Sequence, residues 1–378
     1  MERIQSIKEK YYYKIHISIN KYTQTHIQIK KKMNKKNKLQ QHEQTNILRG
    51  YFFMLCLALQ FGLQPLFTQT CIDKNAHKPT LVLLCEIIKC IFAIILLFVD
   101  GGSSGKAAIQ QWSYIDALKC AGVPAAIYAF QNVCIQMAYQ NMDPIIFNLL
   151  NQTKIVFTAI MVYVLLGKKQ TFGQCIALLM LMITGVLLSI PKDDNNNVNN
   201  VENDFLYGII PCLLACMCSG FASAYSQMIM SGQTKRNSYL FSAELSFISA
   251  MILFVTNLIM LNTSSPLTTT TSTTSFIFIF TSSIVNLNGM TLYVMIPLLT
   301  NACGGIFVGQ VTKHAGSVRK IFCVVCGIIM TAVSKYFYFN KPITNDVYVA
   351  MPLVFISLYI YNASVNKQKK DLKKKKDD

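Results

Sequence analysis

The feature that most constrains the fold of this chain is a series of apolar stretches, each about 20 residues long. A helix of about 20 residues crosses the hydrocarbon core of a bilayer, which is about 30 Å thick. Within lipid, a helix satisfies all of its backbone hydrogen-bonding groups internally. The stretches lie approximately at residues 48–70, 79–99, 114–139, 144–166, 171–190, 205–230, 238–261, 291–312, 317–338 and 343–362. The sequence therefore predicts an all-α integral membrane protein with ten transmembrane helices.

The composition supports a membrane protein and places most of the charge in the tails. The chain is 52% hydrophobic and 14% charged, whereas a soluble chain carries about 25% charged residues. The tails hold a surplus of thirteen positive charges out of the formal +18. This distribution excludes an extended nucleic-acid surface on the body. We predict a disordered basic tail over residues 1–46, a ten-helix membrane domain over 47–362 and a second basic tail over 363–378.

The positive charges of the loops predict the orientation in the membrane. With both termini in the cytosol, the cytosolic loops contain Lys168-Lys169, Lys235-Arg236 and Arg319-Lys320, in agreement with the positive-inside rule. Lys375 and Lys376, fourth and third from the chain end, then form a cytosolic dilysine signal. We therefore predict retrieval to the endoplasmic reticulum membrane through coatomer, with the Golgi membrane as the alternative location.

Lys154 is the most informative charged residue, because it lies inside the apolar run 145–166. A lysine near the centre of a membrane helix costs about 2.5–3.5 kcal/mol on insertion scales. Snorkelling to the interface is the structural alternative, but the run extends well beyond Lys154 on both sides. Nearby amides, including Asn148, favour a hydrated polar cavity. We interpret Lys154 as a site residue.

Other polar residues in the apolar stretches leave more than one interpretation open. Glu86 and Lys89 are three residues apart and share a helix face, so an internal ion pair with a structural or gating role is the first interpretation. Tyr128 and Asn132 also share a face, where helix packing and ligand contact are equally consistent. Glu244 is a further charge in an apolar run, and the sequence does not name its partner.

Two lysines suggest an internal repeat. Lys154-Ile155 and Lys320-Ile321 occur at corresponding points of the fourth and ninth stretches. Five stretches separate them, so the second half would be inverted relative to the first, as in many transporters that bind substrate at the repeat interface. Lysine binds phosphate as a point charge, and two of them in one cavity suit a monophosphate or diphosphate.

Several segments together resemble the nucleotide-sugar transporter family of the drug/metabolite transporter superfamily. They are Tyr128-Ala129-Phe130-Gln131-Asn132, Asn141-Met142-Asp143, Asn151-Gln152-Thr153-Lys154-Ile155, the stretch 218–225, and Gly304-Gly305 with Lys313 and Lys320. The resemblance implies ten helices in two inverted five-helix repeats. It also implies an antiporter that moves a nucleotide sugar from cytosol to lumen in exchange for a nucleoside monophosphate, and not an enzyme.

The resemblance also implies a substrate and a set of binding residues. The sequence differs from the family branch that transports CMP-sialic acid at three places: Phe147, Gly309 and the stretch 242–246. These departures favour a UDP-sugar such as UDP-N-acetylglucosamine, UDP-N-acetylgalactosamine or UDP-galactose. The expected substrate-binding residues are Lys154, Lys320, Tyr128, Asn132, Phe147, Asn148, Ser219, Glu86, Lys89 and Glu244.

The antiporter requires no cofactor and no metal, and two alternatives to it remain. One is a drug/metabolite transporter for a different anionic substrate. The other is a membrane-embedded sugar transferase, which would need paired carboxylates or a metal-ligand cluster at one membrane face. Asp193-Asp194 lie in an Asn-rich loop with no histidine nearby, and the CxxC spacing of Cys323 and Cys326 lacks a second pair. Both features disfavour the transferase.

Overall fold

The computed structural model describes residues 30, 41, 44–72, 78–99, 102–142, 144–188, 205–231, 236–264, 292–339 and 345–377. The chain divides into two units, residues 1–51 and 52–378. In the first unit, the described residues are 30, 41 and the start of the first helix. Most of the predicted tail 1–46 and the acidic pair Asp193-Asp194 lie outside the described residues.

The described chain is built from helices. The first part contains α1 (Gln44–Cys71), α2 (Lys78–Val99), α3 (Gly102–Gln110), α4 (Tyr114–Ala117), a π-helical turn (Leu118–Gly122), α5 (Val123–Gln140), α6 (Pro144–Asn151), α7 (Lys154–Leu166) and α8 (Phe172–Leu187). The second part contains a π-helical turn (Phe205–Ile209), α9 (Ile210–Ser231), α10 (Ser238–Ser264), a 3₁₀ turn (Leu292–Val294), α11 (Met295–His314), α12 (Ser317–Phe339) and α13 (Asn345–Asp377).

The all-α membrane prediction is confirmed. Within the described ranges, nine helices are long and apolar enough to cross a membrane. The helix α8 falls in the predicted fifth stretch and is apolar, but it has 16 residues. Each predicted stretch contains a helix, whereas the count of ten crossings and the inverted repeat stay predictions.

The fourth predicted stretch is not one uniform helix. α6 ends at Asn151 and α7 begins at Lys154, with a turn at Gln152 and Thr153 between them. The Thr153 amide donates to the Leu150 carbonyl at 2.9 Å, a 3₁₀-type bond, and the Thr153 hydroxyl donates to the same carbonyl at 2.6 Å. A tightened turn inside a helix often marks a hinge. Lys154 therefore lies in the first turn of a helix that begins inside the predicted span.

The largest apolar core lies among α7, α8, α12 and α13. Ile155, Leu181 and Phe322 are among its most buried members, each at most 1% exposed. On the other side, α7 packs closely against α9 at Gly220, where an added Cβ would lie 2.8 Å from the carbonyl carbon of Phe157. Because small residues let membrane helices approach closely, the missing side chain of Gly220 permits this contact.

Candidate functional site

A polar cavity of about 390 Å³ lies among the helices of the second unit. Helices α2, α5, α9, α10, α11 and α12 all contribute to its wall. The polar and charged lining residues are Glu86, Lys89, Tyr128, Asn132, Ser226, Ser242, Ser246, Ser249, Thr312 and Lys320. A cavity of this size is within the range of small-molecule sites. It brings five of the ten expected binding residues together: Glu86, Lys89, Tyr128, Asn132 and Lys320.

Lys320 supplies the uncompensated positive charge of this cavity. Its ammonium donates to the Ser223 hydroxyl at 2.8 Å. Among the described residues, no carboxylate forms an ion pair with Lys320. Burying a charge without a counter-ion is costly. An anion in the cavity would therefore be stabilised by Lys320.

The second cation of the cavity is already paired. The Lys89 ammonium lies 2.6 Å from a carboxylate oxygen of Glu86, and the two side chains are 19% and 17% exposed. The predicted ion pair is thus confirmed. Gly305 makes room for it, since a Cβ there would lie 2.4 Å from the Cε of Lys89. The pair adds polar groups to the cavity wall with no net charge.

A row of hydroxyl groups from α10 lines part of the cavity wall. Ser242, Ser246 and Ser249 recur at intervals of four and three residues on α10, the spacing of one helix face. Ser246 is 1% exposed, and its hydroxyl oxygen has no hydrogen-bond partner in the described structure. These serines were not predicted to form a group. Their spacing within an apolar helix was the signal that could have identified them.

Lys154 is not among the residues that line this cavity. It is nevertheless close enough to Lys320 for the two positive charges to repel each other. Within the described chain, Lys154 has no carboxylate partner either. Two unpaired cations on α7 and α12 thus lie in the same region, one inside the cavity and one beside it.

Glu244 has a partner that the sequence did not reveal. Its carboxylate accepts hydrogen bonds from the Trp112 indole at 2.8 Å and from the Arg236 Nε at 2.9 Å, and the Arg236 Nη2 also contacts it. Glu244 is 7% exposed and does not line the cavity. The structure therefore places it in a network that links the start of α10 to the segment between α3 and α4.

Three further expected binding residues also lie outside the cavity wall. Phe147 is 1% exposed and packs with Met142 and Cys212 in an apolar cluster. Asn148 is on α6, and Ser219 is on α9 one turn before Ser223. Their proposed role in binding stays a prediction.

Comparison with known proteins identifies the family. The family described as "Nucleotide-sugar transporter" matches residues 27–362. The chain belongs to the nucleotide-sugar transporter family. The resemblance inferred from the separate segments is thereby confirmed, and the family consists of transporters and not of enzymes.

Individual relatives of this nucleotide-sugar transporter agree with the family assignment. The chain is 37% identical over 323 residues to the UDP-N-acetylglucosamine transporter ROCK1 of Arabidopsis thaliana, covering 84% of this chain and 94% of the relative. It is 27% identical to the UDP-galactose/UDP-N-acetylglucosamine transporter srf-3 of Caenorhabditis elegans, with coverages of 77% and 75%. The UDP-N-acetylglucosamine transporter of Rattus norvegicus is 23% identical, with coverages of 75% and 84%.

A solved crystal structure supports the fold. It shares 12% sequence identity with the transporter at a TM-score of 0.56, and the match covers 86% of this chain and 99% of that chain. At this level of identity the similarity concerns the arrangement of the helices alone.

Proposed function

We propose that this transporter exchanges a UDP-N-acetylhexosamine, with UDP-N-acetylglucosamine as the first candidate, for UMP across an endoplasmic reticulum membrane. The observation that carries the proposal is the unpaired Lys320 ammonium in a hydroxyl-lined cavity between membrane helices. The names of the relatives point to UDP-N-acetylglucosamine and UDP-galactose.

The groups of the cavity suit the parts of a nucleotide sugar. The diphosphate carries negative charge, which Lys320 stabilises directly and Lys154 from nearby. The serines of α10 and the Asn132 amide offer donors and acceptors for ribose, base and sugar hydroxyls. A nucleoside monophosphate shares the base, the ribose and a phosphate, so the same cavity accepts it on the return step.

Exchange requires that the bound nucleotide changes the equilibrium between a state open to the cytosol and a state open to the lumen. A ligand that binds both states equally shifts nothing. The tightened turn at 152–153 and the π-helical turn Leu118–Gly122 interrupt regular helix, and such interruptions are frequent at functional hinges. We place the conformational change at these points, with the cavity between the moving helices.

The substrate proposal is tested by counterflow into proteoliposomes. We expect liposomes preloaded with UMP to accumulate UDP-N-acetylglucosamine at least about tenfold faster than empty ones, because bound UMP shifts the transporter back to the state that accepts the sugar nucleotide. CMP-sialic acid and GDP-mannose should enter at the background rate of protein-free liposomes. Equal uptake by loaded and empty liposomes would contradict exchange, and a preference for CMP-sialic acid would contradict the proposed base.

The proposed location is tested at the chain end. Replacing Lys375 and Lys376 by Ser should move the protein from the endoplasmic reticulum to the Golgi, as seen by microscopy with markers of both compartments, because coatomer reads lysines at these positions. The matched control replaces Lys373 and Lys374, which removes the same charge and leaves the signal. If both variants move to the Golgi, the tail acts only through its charge. If neither variant moves, the tail does not determine the location.

A further inference from the structure

A second cavity, of about 570 Å³, lies apart from the proposed substrate site. Its wall consists of the loop 167–171 between α7 and α8, the turn 315–316 before α12, and a face of α13. The charged residues that line it are Lys168, Lys169 and Arg319, and no aspartate or glutamate is among its lining residues. The cavity therefore carries three positive charges on its wall.

Arg319 is the residue that most clearly requires an anion. Its Nε is buried and has no hydrogen-bond acceptor in the described structure, although buried polar groups are nearly always hydrogen-bonded. Its guanidinium carbon lies 6.0 Å from the centre of the Tyr361 ring, which supports one face of the group. No carboxylate of the described chain pairs with Arg319, Lys168 or Lys169. An oxyanion would satisfy these donors.

The wall of the cavity is held by hydrogen bonds. The Gln368 amide of α13 donates to the Lys169 carbonyl at 3.1 Å, which fixes the loop against that helix. The Ser317 amide donates to the Gln227 side chain at 2.8 Å, which fixes the start of α12. Gln170 leaves its buried amide oxygen without a partner among the described residues, and turning this amide would direct its NH₂ group at an anion.

The cavity also lies where anionic headgroups are found. Loop 167–171 follows the membrane helix that ends at Leu166, and Ser317 is the first residue of another membrane helix, α12, so both mark the edge of the apolar layer. The orientation predicted from the loop charges puts this edge on the cytosolic side, where anionic lipids attract basic residues.

We propose that this cavity binds a phosphate group at the cytosolic membrane surface, from an anionic lipid headgroup or from a soluble phosphate compound. Arg319 would bind two phosphate oxygens through its planar group, and Lys168 and Lys169 would supply further charge. The volume accommodates a phosphorylated headgroup as well as a small soluble ligand. The proposal does not rest on the identity of the transported sugar.

The lipid source is tested with the purified full-length chain by native mass spectrometry. We expect wild type to retain phosphatidylinositol 4-phosphate in preference to phosphatidylcholine. Replacing Lys168 and Lys169 by Gln should weaken this binding at least about tenfold, because charge-assisted hydrogen bonds are lost. The matched control replaces Lys106 and Lys335 by Gln, which removes two charges outside the cavity. Arg319→Gln is a second variant, independent of the loop.

The soluble source is tested by thermal unfolding with inorganic phosphate against chloride at equal ionic strength. Protection of wild type and of the control, but not of the Lys168→Gln/Lys169→Gln variant, would support the site with a soluble ligand. Wild type that retains both lipids equally and gains nothing from phosphate would overturn the proposal. Equal lipid retention by wild type, both cavity variants and the control, together with an equal response of all of them to phosphate, would overturn it as well. None of these measurements depends on transport, so failure here leaves the exchange proposal untouched.

Discussion

Lys320→Ala is expected to reduce UDP-sugar/UMP exchange to the background of protein-free liposomes, while the protein still inserts in the membrane. The Lys320 ammonium lines the cavity, donates to Ser223 at 2.8 Å and pairs with no described carboxylate. Removing it takes away the free positive charge that a phosphate would meet there. A charge-assisted hydrogen bond is worth about 1.5–3 kcal/mol, or roughly ten- to a hundredfold in affinity. Initial rates of counterflow measure the effect.

Lys335→Ala is the matched control, because Lys335 is on the same helix and does not line this cavity. It should leave exchange near the wild-type rate. Lys154→Ala is expected to abolish exchange as well, since its charge acts on the same region. Thermal unfolding of each variant in detergent checks that the fold is retained.

Binding of UMP separates a phosphate contact from a structural role. A phosphate role for Lys320 predicts that the variant loses UMP binding in detergent in proportion to its loss of exchange. If Lys320 acts only through its hydrogen bond to Ser223, Ser223→Ala should reduce exchange as much as Lys320→Ala does, although it keeps the ammonium. Exchange that persists in Lys320→Ala would remove this residue from the proposed site.

The helices could be predicted from the sequence because the bilayer permits so few solutions. Long apolar stretches must satisfy their backbone groups internally, and each predicted stretch contains a helix. The turn at 152–153 was not predicted, since apolar content does not report it. The polar residues Gln152 and Thr153 were the local signal for this turn, since the Thr153 hydroxyl bonds to the Leu150 carbonyl.

The contacts of the site could be predicted only where they are local. Glu86 and Lys89 share one helix face, and their pairing follows from that spacing. The partner of Glu244 could not be deduced in this way, because Arg236 precedes α10 and Trp112 comes from a distant segment. Likewise, the approach of Lys320 to Ser223 depends on how α12 packs against α9, which helix periodicity alone does not determine.

Glu244→Ala is expected to destabilise the protein by about 3–5 kcal/mol, because it leaves the Arg236 guanidinium buried without a counter-ion. The two side chains are 7% and 15% exposed, so water replaces the lost partner poorly. The Trp112 indole would also lose its acceptor. Thermal unfolding in detergent should show a lowered midpoint. Asp371→Ala is the control, since it removes the same charge from an exposed position on α13 and should change stability by about 0.5 kcal/mol or less.

A variant with Arg236→Met and Glu244→Leu distinguishes a buried pair from two independent residues. Replacing both charges by apolar groups of similar size is often neutral or stabilising, so the double variant should recover most of the stability that Glu244→Ala loses. Additive losses would contradict the pairing.

The same variants also test whether Glu244 binds substrate. If its role is structural, Glu244→Ala protein kept below its unfolding temperature binds UMP as wild type does. If Glu244 contacts the nucleotide, binding falls even where the protein is fully folded, and the double variant does not restore it.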